Sequence, residues 1–387
     1  MKIAVVSGSF PPDLCGIGDY TSKLCGEMRR HINSGEVHII TKAGPEREGT
    51  ERHVMPCVKN WNLAGVCHTV RAIRRLQPDV VHIQYPPSAF RRSISTTLLP
   101  LFLRFLVRRA RVFCTIHEFD NKTFAGKLRL LASMIPCHGL VVVDEGYKQS
   151  IARFCRFLSR RIAFIPIGSN IGNVGIAEEQ RRALRRELGW AHDDVVIVHF
   201  GILREGKGID QLIEAFRVAH KSCVNLRLLL AGAPGASWDD SLFRGMLREC
   251  ELIDSVHMTG RVSEERTSRY LSMADFAVFP FTDGVSTKRT GFMAAVEHGL
   301  PTVTTFPSSG MPELCDDVNV ALVPPDNAEA LAEAMIRVAG DEALRNRLAE
   351  GAALLRQTYS WDRIACAHLE LYASALHATD PAPERFD

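Results

Sequence analysis

The sequence predicts an α/β protein made of two Rossmann-like domains, each built around a parallel β-sheet. Short β-branched runs alternate with longer amphipathic stretches along the chain, which is the pattern of βαβ units. The alternation forms two series, separated at Ile171–Glu179 by a stretch with no strand or strong helix signal. The 387 residues also exceed one ordinary core and suit about two domains of ~150–200 residues each.

The first series predicts six strands, with the sequences IAVVSG, VHIIT, VVHIQ, VFCTIH, GLVVVD and IAFIPIG, and helices that include Tyr20–His31 and Val66–Leu76. The second series predicts six more, VVIVHFG, LRLLLAG, VHMTG, FAVFPF, PTVTT and ALVPP, with helices at Ile209–Ala219, Ser263–Met273, Met293–His298 and Ala328–Ala339. A last apolar stripe predicts a helix over Trp361–Leu376. We therefore expect an N-terminal domain over residues 1–172, joined by a returning helix at 361–378, and a C-terminal domain over residues 190–360.

The composition is that of a globular enzyme. The formal net charge is only +3, so no overall basic excess indicates a nucleic-acid partner. The eleven cysteines are scattered without a CxxC pair, which is typical of reduced thiols in a cytoplasmic protein and predicts no zinc site. The N-terminus enters a strand directly, without the basic and apolar regions of a signal peptide.

One segment, Arg91–Arg111, combines six arginines with the apolar run LLPLFLRFLV. Its most apolar part, Leu98–Val107, is interrupted by Pro100 and Arg104 and is far shorter than the ~20 residues of a spanning helix. Two interpretations stay open. The segment is either an interfacial helix that contacts anionic lipid on the inner face of a membrane, or an ordinary amphipathic helix with arginines at its rim.

The loops that follow the strands carry the candidate functional residues, because ligands of open parallel sheets bind at the carboxyl ends of the strands. With two such sheets, the expected site is the cleft between the domains. After the first strand, Gly16 and Gly18 either let backbone N–H groups approach a phosphate or simply line a turn. The third glycine of a dinucleotide fingerprint is replaced by Thr21, and no ribose-binding acid follows the second strand, so an NAD-dependent oxidoreductase is poorly supported.

Two loops of the second series bring cations to the same edge. Lys207 lies on a glycine-flanked loop, where its ammonium would stabilise the charge that grows on a departing diphosphate. The second loop precedes a helix and combines cations, hydroxyls and free N–H groups, which together suit a pyrophosphate. Its candidate residues are Asp283, Ser286, Lys288, Arg289, Thr290 and Gly291. In the first series, His117 ends a strand and could hydrogen-bond a substrate or serve the fold alone.

Taken in order, these pieces resemble glycosyltransferase family 4, whose members are retaining enzymes of the GT-B fold. The resemblance covers nearly the whole chain and rests on SGSFPPDLCGIGDY, TIHEF, IPIGSN, FGILREGKGIDQLIEAF, LAGAPG, ADFAVFPF and HGLPTVTT. It implies transfer of a sugar from a nucleotide-diphosphate sugar, with UDP favoured, to a glycan, a lipid-linked or a small-molecule acceptor. It also implies retention of anomeric configuration, no metal and no cofactor.

The resemblance also assigns roles to individual residues. It places Gly16 and Gly18 near the donor phosphates, His117 at the donor sugar, and Lys207 at the family's phosphate-binding lysine. The backbone around Gly260, Arg261 and Val262 is similar to the segment that packs against the nucleotide base.

The chain departs from the family pattern at five positions. Ile202 replaces an arginine, and Ser286 and Ala294 replace the paired glutamates that contact the sugar and the ribose. Lys288-Arg289 replaces the Phe-Gly between them, so we expect part of the cationic phosphate binding to have moved to this loop. Glu297, one helical turn past Ala294, either recovers the ribose contact or is an exposed helix residue.

Two alternatives remain open at this stage. A degenerate scaffold that lost its glutamates would bind an enzyme partner and no donor. A sugar-nucleotide epimerase of the same fold would need acids that move protons at a sugar carbon, for which the candidates are Asp13, Asp19, Glu118 and Asp283.

Overall fold

The computed structural model describes residues 1–13, 15–32, 36–44, 52–85, 90, 93–120, 122–204, 206–235 and 238–377. The chain divides into two compact units. The first unit combines Met1–Ile167 with Trp361–Asp387, and the second is Gly168–Ser360. Each unit has its own parallel sheet, which confirms the predicted fold class.

The first unit contains seven parallel strands in the order β3-β2-β1-β4-β5-β6-β7. These are β1 (Ile3–Ser7), β2 (Val37–Lys42), β3 (Val54–Val58), β4 (Val80–Tyr85), β5 (Arg111–Ile116), β6 (Gly139–Val142) and β7 (Ile162–Phe164). Every residue of β1 and β4 is buried, as expected for central strands covered on both faces. The connecting helices are α1 (Gly16–His31), α2 (Leu63–Leu76), α3 (Ile94–Thr97), α4 (Leu99–Leu106), α5 (Phe124–Met134) and α6 (Glu145–Phe154).

The second unit contains six parallel strands in the order β10-β9-β8-β11-β12-β13. These are β8 (Val195–Phe200), β9 (Leu226–Ala231), β10 (Val256–Gly260), β11 (Phe276–Phe279), β12 (Thr302–Thr305) and β13 (Ala321–Val323). The helices are α7 (Glu178–Glu187), α8 (Ile209–Ser222), α9 (Asp240–Glu249), α10 (Glu264–Met273), α11 (Thr290–Glu297), α12 (Ala328–Gly340) and α13 (Glu342–Thr358). Its core includes the fully buried side chains of Phe216, Phe276 and Met335.

The last helix, α14 (Trp361–His377), packs against α1 and β5 of the first unit. Tyr372 is fully buried there, and its hydroxyl forms a hydrogen bond with Nδ1 of His82 on β4. The core of the first unit is therefore completed by a segment far along the chain.

Several elements differ from the sequence-based expectation. Helix α1 begins at Gly16 rather than at Tyr20, so Gly16 and Gly18 lie in its first turn and not in a loop. Strand β3 was not predicted, and the segment Arg91–Arg111 forms the two short helices α3 and α4 rather than one. Arg91 and Arg92 lie outside the described residues. Within the described part of the chain, no helix is both long enough and apolar enough to cross a bilayer.

Candidate functional site

Gly208 lets the loop between β8 and α8 pack closely against Pro280, the residue that follows β11. Gly208 has a φ of 67°, and a Cβ at this position would lie 1.9 Å from the carbonyl oxygen of Pro280. Only glycine permits both this backbone conformation and this close approach. The neighbouring Lys207 is consequently drawn inward and is only 8% exposed, which is unusual for a lysine.

Lys207 and Arg289 both lie over the aromatic ring of Phe281. The Lys207 Nζ atom lies 5.1 Å from the ring centroid, and the Arg289 Cζ atom lies 4.5 Å from it. Phe281 itself is fully buried, so the ring is a fixed platform with a negative face that attracts both cations. The structure thus brings together the two loops that sequence analysis selected separately.

Positive charges outnumber negative ones around Lys207 and Arg289. Burial, with Arg289 and Arg204 adding repulsion, lowers the pKa of Lys207 to about 8. Asp283 forms an ion pair with Arg289, and this carboxylate is mostly exposed. His199, beneath the cluster on β8, has its pKa lowered to about 4 by burial and stays neutral. An anion bound beside Lys207 would raise the pKa of this lysine, because it stabilises the charged ammonium.

Helix α11 starts beside the cations. A Cβ on Gly291 would lie 2.3 Å from the carbonyl oxygen of Phe200, so glycine lets the helix approach the end of β8. Arg289 is the N-cap residue, and its side chain makes no capping hydrogen bond. Ser286 is buried, and its hydroxyl has no hydrogen-bond partner in the part of the chain that the structure describes. A helix N-terminus with available N–H groups and a buried hydroxyl is suited to a phosphate.

The other candidates of the second unit occupy different positions. Thr290 is exposed and Lys288 is partly buried, both next to Arg289. Arg261 and Val262 follow β10, where Gly260 has a φ of 62°, and they lie two strands away from β8 in the sheet.

Glu297 lies at the opposite end of α11 from Arg289. Its carboxylate pairs with Arg356 of α13, with Oε1 and Nη2 3.1 Å apart. It is partly buried rather than exposed, contrary to the exposed helix residue considered from the sequence.

In the first unit, Gly18 has a packing role. A Cβ at Gly18 would lie 3.1 Å from the backbone N and Cα of Phe10, so the first turn of α1 sits directly on the segment that follows β1. Thr21, in place of a third glycine, is buried and donates a hydrogen bond to the carbonyl oxygen of Ile17 over 2.7 Å. Cys15 is the N-cap residue of α1, and its side chain makes no capping hydrogen bond.

His117 belongs to a buried polar network. Its Nε2–H donates a hydrogen bond to Oε1 of Gln84 over 2.9 Å, and this contact sets the tautomer and the ring orientation. The edge of the ring also packs on Tyr20, with centroids 5.1 Å apart. Burial of the ring, with His368 adding, lowers the pKa of His117 to about 3, so the imidazole is neutral at physiological pH.

Nearby, Nε2 of His82 forms a hydrogen bond with the Thr115 hydroxyl over 2.6 Å. His368 of α14 donates from Nδ1 to the carbonyl oxygen of Ile364 over 2.8 Å. Burial lowers the pKa of His82 well below its usual value and that of His368 to about 4. These neutral histidines form a polar layer that supports His117 from below.

Sequence reasoning selected the residues at the strand ends and missed their supports. Gln84 is the last residue but one of β4, is fully buried and was not selected as a partner of His117. In the sequence, Phe281 looks like any aromatic residue of a hydrophobic core. Only the structure shows that Lys207 and Arg289 both lie over its ring. A buried glutamine at a strand end was the one available signal, because buried polar side chains require partners.

The fold is shared with solved glycosyltransferase structures. One neighbour is Anabaena Alr3699/HepE, solved in complex with UDP and glucose, with a TM-score of 0.76 and 16% identity over 97% of this chain and 100% of that one. A second is a glycosyltransferase from Rickettsia africae, with a TM-score of 0.77 and 16% identity over 98% and 99% of the two chains. These likenesses establish the fold, and the expected GT-B architecture is confirmed. The chain therefore has the GT-B fold.

The family comparisons agree with this class. Residues 15–172 match the family described as Glycosyltransferase Family 4, and residues 180–354 match Glycosyl transferases group 1. Each half of the chain thus matches one glycosyltransferase family model. A D-inositol 3-phosphate glycosyltransferase from Xylanimonas cellulosilytica is 29% identical over 50% of this chain and 46% of its own length. The matched part thus spans less than half of this relative.

Proposed function

We propose that this chain transfers a sugar from a nucleotide-diphosphate sugar to an acceptor and that Lys207 and Arg289 bind the diphosphate. One observation carries the proposal: Lys207 and Arg289 share the aromatic face of Phe281 beside the start of α11. Positive charge, free N–H groups and the buried hydroxyl of Ser286 all suit phosphate oxygens.

The geometry fits the chemistry of a departing diphosphate. As the bond between sugar and phosphate breaks, negative charge grows on the leaving oxygen, and fixed cations stabilise that state most. Lys207 and Arg289 would carry this charge themselves, so we propose a transfer that does not depend on a metal. Retention of anomeric configuration is proposed from the family resemblance.

His117 is proposed to hydrogen-bond the donor sugar. Its Nε2–H is committed to Gln84, so Nδ1 is an acceptor for a sugar hydroxyl. A neutral imidazole at this position is ensured by the lowered pKa of about 3. UDP is the proposed nucleotide, since the structural neighbour HepE was solved with UDP and glucose.

Binding and turnover test the proposal. Calorimetry with UDP, GDP and ADP should find one tight diphosphate, and Lys207→Met and Arg289→Met should each weaken it by about tenfold or more, the cost of one charge-assisted hydrogen bond. Lys221→Met, at an exposed lysine of α8, is the matched control and should bind normally. Unchanged affinity in both site variants would remove the basis of the assignment.

Product analysis then addresses the reaction. Proton NMR of the product formed with and without a chelator should show the donor's anomeric configuration and an unchanged rate. An epimerase would instead interconvert nucleotide sugars without releasing a nucleotide. Its candidate acids Glu118 and Asp283 are engaged in ion pairs with Lys122 and Arg289, which favours transfer. A scaffold without a donor would bind no diphosphate.

We also propose that α3, α4 and α5 form a face that contacts an anionic membrane and gives access to a lipid-linked acceptor. Large apolar side chains are exposed on all three helices, including Ile94, Phe105, Leu106, Phe124 and Leu128. Arg108 and Arg109 directly follow α4 and are also exposed. Apolar side chains flanked by basic ones match the charge and the interior of an anionic lipid surface.

Liposome sedimentation tests this face. The chain should sediment with vesicles that contain phosphatidylglycerol and less with neutral ones, and the double variant Phe105→Ser/Leu106→Ser should stay in solution. Val224→Ser removes an equally exposed apolar side chain of the second unit and should sediment normally. Equal sedimentation of all three proteins would contradict the proposal.

A further inference from the structure

A cluster of three metal-ligating side chains lies where α1 and α14 pack together, within the first unit. His31 is the last residue of α1, and Asp362 and Cys366 are four residues apart on α14. Their ligand atoms all lie within 4.8 Å of one another. Neither the polar network around His117 nor the cationic cluster at Phe281 includes these residues.

The distances within the cluster approach those around a tetrahedral ion. His31 Nε2 lies 3.0 Å from Asp362 Oδ1 and 3.8 Å from Cys366 Sγ. Zinc bonds of ~2.0–2.1 Å to nitrogen and oxygen and ~2.3 Å to sulfur place tetrahedral neighbours about 3.3 Å apart for N and O and about 3.6 Å for N and S. An ion could therefore bind between the three atoms with small rotations of the side chains.

A fourth ligand lies one turn earlier on α1. Glu27 Oε1 is 4.0 Å from His31 Nε2, and its spacing of four residues puts both side chains on the same face of the helix. Each helix thus carries two candidate ligands at i and i+4, Glu27 and His31 on one and Asp362 and Cys366 on the other. Glu27 lies outside the group of three whose ligand atoms are all within 4.8 Å of one another, so its side chain would have to rotate to complete the set. Two such pairs on packed helices make a four-residue set of N, S and O atoms.

The charge around the cluster also favours a cation. Besides Asp362, the carboxylates of Glu27 and Glu370 lie near Cys366. Arg30 pairs with the other carboxylate oxygen of Glu27. Thiolate, imidazole and carboxylate ligands together select a borderline-soft divalent ion such as zinc over magnesium or calcium.

We propose that Glu27, His31, Asp362 and Cys366 form a zinc site that ties α14 to α1. Binding replaces the S–H bond of Cys366 by a Zn–S bond and releases the thiol proton to solvent, while the imidazole binds as the neutral base. The role is structural and separate from the proposed sugar transfer. The cysteine spacing predicted no zinc site because the ligands come from helices 335 residues apart in sequence rather than from a local motif.

Metal titration tests the site in the full chain with Cys67 and Cys315, the two exposed cysteines outside the cluster, replaced by serine. After treatment with a chelator, zinc should bind in a one-to-one ratio and raise the melting temperature. Cobalt should give the near-ultraviolet absorption of a thiolate-to-cobalt charge transfer. Cys366→Ser should abolish that absorption, and His31→Gln should weaken zinc binding by at least about tenfold.

His68→Gln, at an exposed histidine of α2, serves as the control and should bind zinc normally. Without metal, the variants Cys366→Ser, His31→Gln and His68→Gln should melt at the same temperature as the parent protein, which shows that they fold. No saturable zinc binding, or a cobalt absorption that persists in Cys366→Ser, would overturn the proposal. Neither result bears on diphosphate binding.

Discussion

Raising the pH should weaken the binding of a nucleoside diphosphate, because the lysine that receives it loses its proton. Burial lowers the pKa of Lys207 to about 8 in the folded chain, against 10.5 for a free lysine. About nine-tenths of the Lys207 side chains are then protonated at about pH 7, and about one-tenth at about pH 9. A bound diphosphate favours the charged amine, so affinity should fall by about tenfold over this range.

The lowered pKa of Lys207 affects the free energy of unfolding in the opposite direction from the affinity for the diphosphate. Between a pH of about 8 and 10.5, the unfolded chain holds a proton at Lys207 that the folded chain has released. The free energy of unfolding should therefore rise with pH in this window, while affinity for the diphosphate falls. A general loss of structure at high pH would lower both quantities, so the two measurements separate the cause.

Isothermal titration with UDP across this range measures the effect. Lys207→Arg keeps its charge at every pH and should bind with a flat profile, and Lys207→Met should bind weakly with a flat profile as well. The phosphate groups are fully ionised above about pH 7.5, so the ligand contributes little. If wild type and Lys207→Arg lose affinity in parallel, Lys207 is not the group that titrates, and its contact with the diphosphate is refuted.

Three further predictions follow from the first unit. Gly18→Ala should lower the free energy of unfolding by about 1–3 kcal/mol because its Cβ meets the Phe10 backbone, whereas Gly26→Ala, with nothing within 4 Å, should raise it by about 0.5–1 kcal/mol; urea unfolding measures both. Gln84→Leu should free the His117 ring and lower kcat by about tenfold, with diphosphate affinity unchanged in titration, since one buried hydrogen bond costs about 1–3 kcal/mol when broken. Stability should fall as the pH drops from 6.5 toward 4, by roughly 3 kcal/mol for His368, whose pKa is lowered from 6.5 to about 4; urea midpoints that do not change over this range would contradict this.

The fold was predictable where the residues of an element carry its signal locally. Strands β1 and β8 are runs of β-branched side chains, and their buried positions follow directly. Strand β3, VMPCV, was missed because Pro56 and a partly buried pattern hide an edge strand. Helix α7 was missed because its sequence, EEQRRALRRE, buries little more than Leu184 and Arg185.

The site was predictable only in part, because its geometry depends on contacts between distant residues. The loops with Lys207 and Arg289 could be selected from their positions after strands, but the shared ring of Phe281 could not. The start of α1 was predicted at Tyr20 instead of Gly16 because glycines such as Gly16 and Gly18 have low helix propensity. Tertiary packing overrides that propensity in the structure. The pairing of Glu297 with Arg356 joins two helices whose contact no local pattern reveals.

The position of α14 has a consequence for how the chain folds during synthesis on the ribosome. Tyr372 and His368 fill the interior between α1 and the sheet, yet they are translated after the whole of Gly168–Ser360. The second unit can complete its core as soon as it has been translated. The first unit keeps the apolar surface that α14 will cover exposed until the end of the chain has been made. Nascent chains stalled before residue 361 should therefore hold a native second unit beside an incomplete first one, which makes that early surface a natural client for chaperones.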